Sequence, residues 1–413
     1  MTQAYAPTKP SIAELYDPFD LSDPFPFYQR ARAEEPVFWN AGIGYWIITR
    51  HDDIKGIFKD LETFSSANTG LPIRPHSPRV KKILDDGGMT IQSGMTSRMP
   101  PDHTRIRSFI NKAFTPKRTK SLEEPVRRRV RELLADFKGG RADLVKQLTF
   151  DLPALVIFIL LGVPDEDVAD VKRWALSRME FQWGDPTEEE KVELAESMVK
   201  FWEYCQKLID KRFEKPGDDL PSDLVRIYQA GDQTITRTEM ASLCYTMLFA
   251  GHETTSNALA EGLKTLLTHQ HAWDAICKDP SLIPNAVDEI LRYCPSIFAW
   301  RRITTRPVSL SGVNLPAGAP LLLVLGSANR DEKCFANAET FDIMRSDVKE
   351  MLTFGHGVKY CLGAPLARLE ASIVLEEMTT RFPSLRLQAK QKIEYAPNTA
   401  IRAPRHIWVE WDG

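Results

Sequence analysis

Residues Phe354 to Gly363 read F-G-H-G-V-K-Y-C-L-G, which places Gly355, Gly357, Gly363 and Cys361 within ten residues, just ahead of a segment with helical periodicity. Glycine reaches positive φ without a Cβ clash and lets backbone pass close to a flat group. Amides in such a loop can point at a sulfur and hold it as thiolate, the form that binds metal. A lone cysteine is ordinarily a buried, inert thiol. The spacing F-G-x-G-x-x-x-C-x-G is much more specific than a glycine pair, and it makes Cys361 the first candidate for chemistry.

The rest of the composition is that of an ordinary globular protein. The chain has 413 residues, 43% hydrophobic and 26% charged, with a formal net charge of −3, ample for a large core. The near-neutral balance argues against nucleic acid as a partner. No run of about 20 apolar residues occurs, so no membrane span is expected, and the start M-T-Q-A-Y-A-P-T-K-P lacks a signal-peptide profile. Cys205, Cys244, Cys277, Cys294, Cys334 and Cys361 form no C-x-x-C pair, which suggests reduced thiols and a cytoplasmic location.

Helical periodicity dominates from about His103 to Tyr293. Short β-rich stretches are expected at Pro36–Arg50, as a hairpin turning at Asn40–Gly44, at Thr304–Val324, and in the tail Leu385–Trp411. The stretch Ser65–Pro101, rich in Gly, Pro, Ser and Met, reads as a long ordered loop. With no linker and no repeat, the ordering suggests one mainly helical domain spanning 1–413, with small β-sheets.

Thr238 to Leu267 is apolar on nearly all sides, as a helix crossing a core should be, with Thr238 placed to cap it. Its centre, A-G-H-E-T-T at Ala250–Thr255, is out of character. Gly251 weakens a helix interior by roughly 1 kcal/mol relative to alanine, and carboxylate beside hydroxyl is costly in a core. Backward hydrogen bonds from the two threonines, bending the helix, are one reading. A groove opened at Gly251 and Thr254, with Glu253 and Thr254 handling protons, is the other. Farther on, Pro284–Tyr293 predicts a helix entered at proline, with Glu289 and Arg292 on one face.

Together, the cysteine loop, the A-G-x-E-T-T helix and the E-x-x-R helix resemble the cytochrome P450 family, whose motifs occur in this order over residues 20 to 411. The resemblance implies that fold, with haem b buried between the long central helix and the cysteine loop. Cys361 would be the proximal thiolate ligand, which pushes electron density to iron and favours O–O cleavage. Gly251 and Thr254 would form the dioxygen groove, and Glu253 and Thr254 would deliver protons. Phe354, Gly355 and Gly363 would shape the loop under the haem. Glu289, Arg292 and, from the later A-N-R-D…I-M-R segment, Arg345 would form a buried structural network. The two haem propionates would be held by His103 and Arg107 of H-T-R-I-R, one helical turn apart, by Arg302, and by Lys359. Lys359 departs from the family's usual His or Arg and lacks the planar fork of arginine.

By the same resemblance the pocket would be lined by Met95, Met99, Met179 and the stretch Leu176–Trp183, with Thr246, Phe249, Ala250, Ile297, Phe298 and the turn Asn398–Ile401, including Ala400. These suit a small, mostly apolar substrate, an aromatic or an alkyl aryl ether to be hydroxylated or O-dealkylated. Arg74 and Arg98 leave room for an anionic one. The segments E-E-P-V-F-W, S-L-I-P-N-A-V and R-A-P-R-H-I-W-V-E-W are similar to haem domains of the bacterial self-sufficient class, which carry a fused reductase. No reductase follows Gly413, so electrons are expected from a ferredoxin, a flavodoxin or a formerly fused reductase. The basic residues Lys112, Lys117, Arg118, Lys120 and Arg127–Arg129 could receive an acidic donor. Two alternatives stand beside the O2-dependent monooxygenase. One is a peroxide-driven or isomerising haem–thiolate enzyme, which typically lacks the acid–alcohol pair. The other is a non-catalytic haem-binding sensor, which needs neither oxygen groove nor apolar pocket.

Overall fold

The computed structural model describes residues 11–89, 94–175 and 178–412. The early hairpin forms as expected. Strands β1 (Val37–Asn40) and β2 (Tyr45–Ile48) pair antiparallel with Trp39 opposite Trp46, around a turn in which Gly44 sits at φ +71°. Helix α1 (His51–Lys59) and strand β3 (Phe64–Ser65) follow. The expected loop from Ser65 to Pro101 contains a helix, α2 (Pro78–Asp86), capped by Ser77, whose Oγ accepts from Val80 N. Val80, Ile83 and Leu84 recur at helical spacing, a signal the flanking glycines and prolines conceal. Helix α3 (Asp102–Ala113) then opens the helical body, with α4 (Glu123–Ala135), α5 (Asp151–Leu161), α6 (Arg178–Trp183) and α7 (Glu188–Glu214). A three-residue strand, β4 (Arg141–Asp143), interrupts it and pairs with the distant C-terminal strand.

The long central helix is α8 (Arg237–Thr268). Its cap is Thr236, not Thr238. Thr236 Oγ1 accepts from Glu239 N, and the Glu239 carboxylate accepts from Thr236 N, a reciprocal capping box. Helix α9 (Ile283–Tyr293) carries Pro284 in its first turn. Strands β5 (Trp300–Thr304), β6 (Val308–Leu310), β7 (Val313–Leu315) and β8 (Pro320–Leu323) come next, then α10 (Ala364–Arg381), β9 (Arg386–Leu387) and β10 (Trp408–Glu410). The largest sheet has the order β1-β2-β8-β5-β3, with β8 parallel to β2 and antiparallel to β5. The sheet β4-β10-β9 and the hairpin β6-β7 are separate.

The core falls into three apolar clusters. The largest joins the helices around α8. The other two cover opposite faces of the main sheet. One contains Phe38, Ile47, Leu322, Met179, Trp183 and Phe298; the other contains Ile48, Ile57, Phe58, Leu321 and Leu323. Alternation along the strands produces this division, because successive residues point to opposite faces. Among the described residues no helix is long and apolar enough to cross a membrane.

Candidate active site

The cysteine loop is a compact turn whose shape depends on glycine. Gly355 and Gly357 both sit at φ +71°, a left-handed conformation that other residues rarely adopt. Cys361 N donates to Phe354 O at 2.9 Å and Tyr360 N to Gly357 O at 3.0 Å. Gly363 is the N-cap of α10, and Pro365 lies in its first turn. Burial pushes the Cys361 thiol up, while the amides of Gly363 and Ala364 and the guanidinium groups of Arg107 and Arg368 pull it down. Amides at a helix N-terminus and nearby cations are the setting that favours a thiolate.

Beside this loop lies a concentration of cations. His103 is buried on α3 with no partner for Nδ1. Burial holds it at about 4, with Lys359 and Arg107 adding to the depression, so it is neutral near pH 7. Lys359 is lowered to about 7 by burial and by Arg302 and Arg107. Its Nζ donates only to backbone, to Thr96 O at 3.2 Å and Arg98 O at 2.5 Å. Arg107 Nη2 donates to Tyr360 O at 2.8 Å. Arg302 is buried on β5 against the Phe58 ring, with Nη1 on Arg301 O and no partner for Nε. Among the described residues no carboxylate is paired with any of these four. Buried cations need counter-charge, and a dianionic group beside Cys361 supplies it. The residues therefore fit haem: His103, Arg107, Arg302 and Lys359 to its propionates, Cys361 to its iron.

Helix α8 carries the acid–alcohol pair. Burial, and after it the Glu180 carboxylate, push Glu253 well above the ordinary carboxylate range. Thr254 Oγ1 donates to Ala250 O at 2.6 Å. That backward bond commits the hydroxyl proton and leaves the oxygen free to accept. A Cβ at Gly251 would meet Ile157 Cδ1 at 2.4 Å and Cγ1 at 2.6 Å, so the space it leaves is filled by α5. Its place in the structure is helix–helix packing. His252, beside it, is buried with Nε2 2.8 Å from Phe150 O.

Glu289, Arg292 and Arg345 meet as a closed network. Arg292 Nε and Nη2 reach Glu289 at 2.7 and 2.8 Å, and Arg345 Nε reaches it at 3.3 Å. The remaining donors of both arginines fill carbonyls of residues 329 to 340, and Arg345 also pairs with Asp347.

The expected pocket residues divide between two clusters. Met179, Phe298 and Ala400 are buried together, with Phe249 and Ile297 packed against them. Met95 packs on the helical core, where Gly94 abuts Thr246 so closely that a Cβ would meet its Oγ1 at 2.8 Å. Met99 is turned to Ser66, whose N and Oγ both lie 3.3 Å from its sulfur. Leu176 and Ser177 lie outside the described residues. Arg74 pairs with Asp185, and Arg98 with Asp102 and Glu239, so both carry their own counter-charges. The basic run is largely neutralised too. Lys112 pairs with Asp232, Arg118 with Asp218 and Asp223, Arg127 with Glu376 and Glu377, and Arg128 and Arg129 with Glu132.

A cysteine loop at a helix N-terminus, beside a cluster of basic side chains with no carboxylate partner among the described residues, fits a haem–thiolate protein. The cytochrome P450 family model matches residues 185–408. The structure of cytochrome P450 CREJ in complex with (4-ethylphenyl) dihydrogen phosphate is 44% identical, with a TM-score of 0.93, covering 97% of this chain and 100% of that one. An intact type IV self-sufficient cytochrome P450 monooxygenase is 37% identical with a TM-score of 0.93, covering 97% of this chain and 53% of that one. Erythromycin C-12 hydroxylase of Saccharopolyspora erythraea is 36% identical over 357 residues, 86% of each chain. The chain belongs to the cytochrome P450 family, near the haem domains of the self-sufficient bacterial class. It is a P450 monooxygenase, and its cofactor is haem b on a cysteine thiolate.

Proposed function

We propose that this enzyme uses dioxygen and electrons from a redox partner to hydroxylate or O-dealkylate a small alkyl-substituted aromatic, phosphorylated arenes included. The observation that carries the reading is the pairing of the Cys361 loop, whose sulfur faces two amides and two guanidinium groups, with an acid and an alcohol on α8 at Glu253 and Thr254. Haem supplies oxygen activation at iron. Cys361 anchors it, and His103, Arg107, Arg302 and Lys359 hold its propionates. Burial and the Glu180 carboxylate raise the Glu253 carboxyl above its ordinary range, which suits it to relaying protons. Thr254, its own proton given to Ala250 O, offers a lone pair at the reacting face. The reaction places one oxygen atom in the substrate and releases the other as water, consuming two electrons and two protons.

The apolar cluster around Met179, Phe249, Phe298 and Ala400 suits an aryl ring and alkyl arm, in keeping with the molecule in the CREJ complex. The electron donor is of ferredoxin or flavodoxin type, or a reductase like that fused to some neighbours. Because the basic run is mostly paired within the chain, Lys117 and Lys120 are the cations there best placed to meet it.

The test is spectral and catalytic together. The reduced, carbon monoxide-bound holoprotein should show the thiolate-shifted Soret band, and Cys361→Ser should lose it. Thr254→Ala should keep that band and lower the product formed per electron donor consumed. A histidine-type band in the parent protein, or unchanged coupling in Thr254→Ala, overturns the reading.

A further inference from the structure

Arg301 is a buried cation that neither the fold nor the haem cradle accounts for. It neighbours Arg302 on β5, and strand alternation turns the two side chains to opposite faces. Arg302 goes to the His103–Lys359 cluster. Arg301 goes to the apolar cluster, where its guanidinium lies 3.7 Å over the Trp183 ring. It is fully buried. Nη2 donates weakly to Thr69 O at 3.3 Å and the Tyr45 hydroxyl is near, but Nε and Nη1 have no acceptor among the described residues. Beside it, the buried Thr69 Oγ1 has no partner, nor has Oδ1 of Asn68. Asn68 Nδ2 donates to Arg302 O at 2.9 Å, so this cluster adjoins the propionate cradle on one side. Trp183 joins it to the expected pocket on the other, because Thr399 N and Oγ1 both donate to Trp183 O and Ala400 follows directly.

Three neighbouring residues with unfilled polar atoms, one of them an unpaired guanidinium, are not what a finished apolar core contains. We propose that Arg301 and Thr69 form an oxyanion subsite that holds the phosphate of a phosphorylated arene, with the ring on the Met179–Phe298 side and the alkyl arm turned toward the reacting face. This rests on the small-aromatic reading above and deepens it. The stacked Trp183 fixes the plane of the guanidinium and leaves its edge for phosphate oxygens. Arg74 and Arg98, the cations that stand out near this region in sequence, are already paired with carboxylates. Of these three, Arg301 is the one with no carboxylate partner among the described residues.

The test is equilibrium binding to the holoprotein, read as a Soret shift, with 4-ethylphenyl phosphate, 4-ethylbenzoate and 4-ethylphenol as probes. Arg301→Met should raise Kd for the phosphate about 100-fold, an effect expected of a desolvated charge-assisted contact, and change that for the phenol by less than about threefold. Thr69→Val should weaken the phosphate about tenfold. Arg301→Lys should recover part of the loss. Arg301→Met should also melt no lower than the parent without ligand, and lose the stabilisation that the phosphate gives. A parallel loss for phosphate and phenol makes Arg301 a packing residue and overturns the proposal. So does loss of haem from Arg301→Met, or tight Arg301-dependent binding of the benzoate with none of the phosphate. If the parent binds neither phenol nor phosphate, the aromatic reading itself fails, and the subsite with it.

Discussion

Two groups of buried arginines in this protein are built on opposite rules. Around Glu289, every donor of Arg292 and Arg345 has an acceptor, and Glu289 Oε1 also takes Asp342 N at 2.9 Å. Around β5, Arg301 and Arg302 are as deeply buried but keep unfilled nitrogens, with His103 Nδ1 unpartnered alongside. Burying an unpaired charge costs several kcal/mol, whereas a fully bonded network can be held without net loss. The first group is complete as protein. The second is completed only by something with negative charge. A saturated network marks structure, and an unsaturated one marks a ligand face.

The largest effect that would break this contrast comes from the saturated side. Arg292→Leu leaves Glu289 with one arginine and strands the carbonyls of residues 329 and 338, so the holoprotein should lose about 3–5 kcal/mol of unfolding free energy. Denaturant unfolding measures it. A loss under about 1 kcal/mol would mean that saturation carries no such structural weight.

A second test uses a buried group with a single partner. Burial holds His252 at about 4; Phe150 O and Asp151 oppose the shift, and Lys172 adds to it. Lys172 and Asp151 are themselves paired. The ordinary histidine value is about 6.5. Between those values the unfolded chain binds the proton and the folded one does not, so stability is full above about 6.5 and falls as pH drops toward 4. From about pH 7.5 to about pH 5 this one group should remove about 2 kcal/mol. In the comparison with His252→Leu the other titrations cancel. The gap between the two proteins should narrow by that amount, and a pH-independent gap would disprove the assignment.

Much of this was readable from sequence, for reasons that differ by region. The cysteine loop, the β1–β2 hairpin and the E-x-x-R helix are local patterns, with glycine positions, alternation and three-residue spacing all inside one segment. Arg345 was reachable through the family's motif order. Strand β4 was not, because its partner β10 lies far along the chain and three residues carry no period of their own. The α2 helix was hidden by Gly and Pro on both sides of it. That Gly251 packs against Ile157 is visible only in the structure, because Ile157 lies far along the chain. Arg301 stood beside a residue that was singled out, and alternation alone places it on the other face. Whether its charge is answered depends on Thr69, Tyr45 and Trp183, which no local pattern brings together.

The smallest effect is the most discriminating, because its sign differs between haem-bound and haem-free protein. Burial lowers Arg302 to about 10, and the guanidinium has backbone and an aromatic ring for company but no carboxylate. In the absence of haem, Arg302→Met removes an uncompensated charge and should leave stability unchanged or slightly higher. With haem, it removes one of the four side chains proposed to hold the propionates. Transfer of haem to an acceptor protein should then be about tenfold faster, equivalent to about 1.4 kcal/mol. Arg292→Leu should weaken both forms in the same direction. If Arg302→Met destabilised the haem-free protein as Arg292→Leu does, the two arginine groups would follow one rule, and the unfilled nitrogens on β5 would no longer point to a ligand.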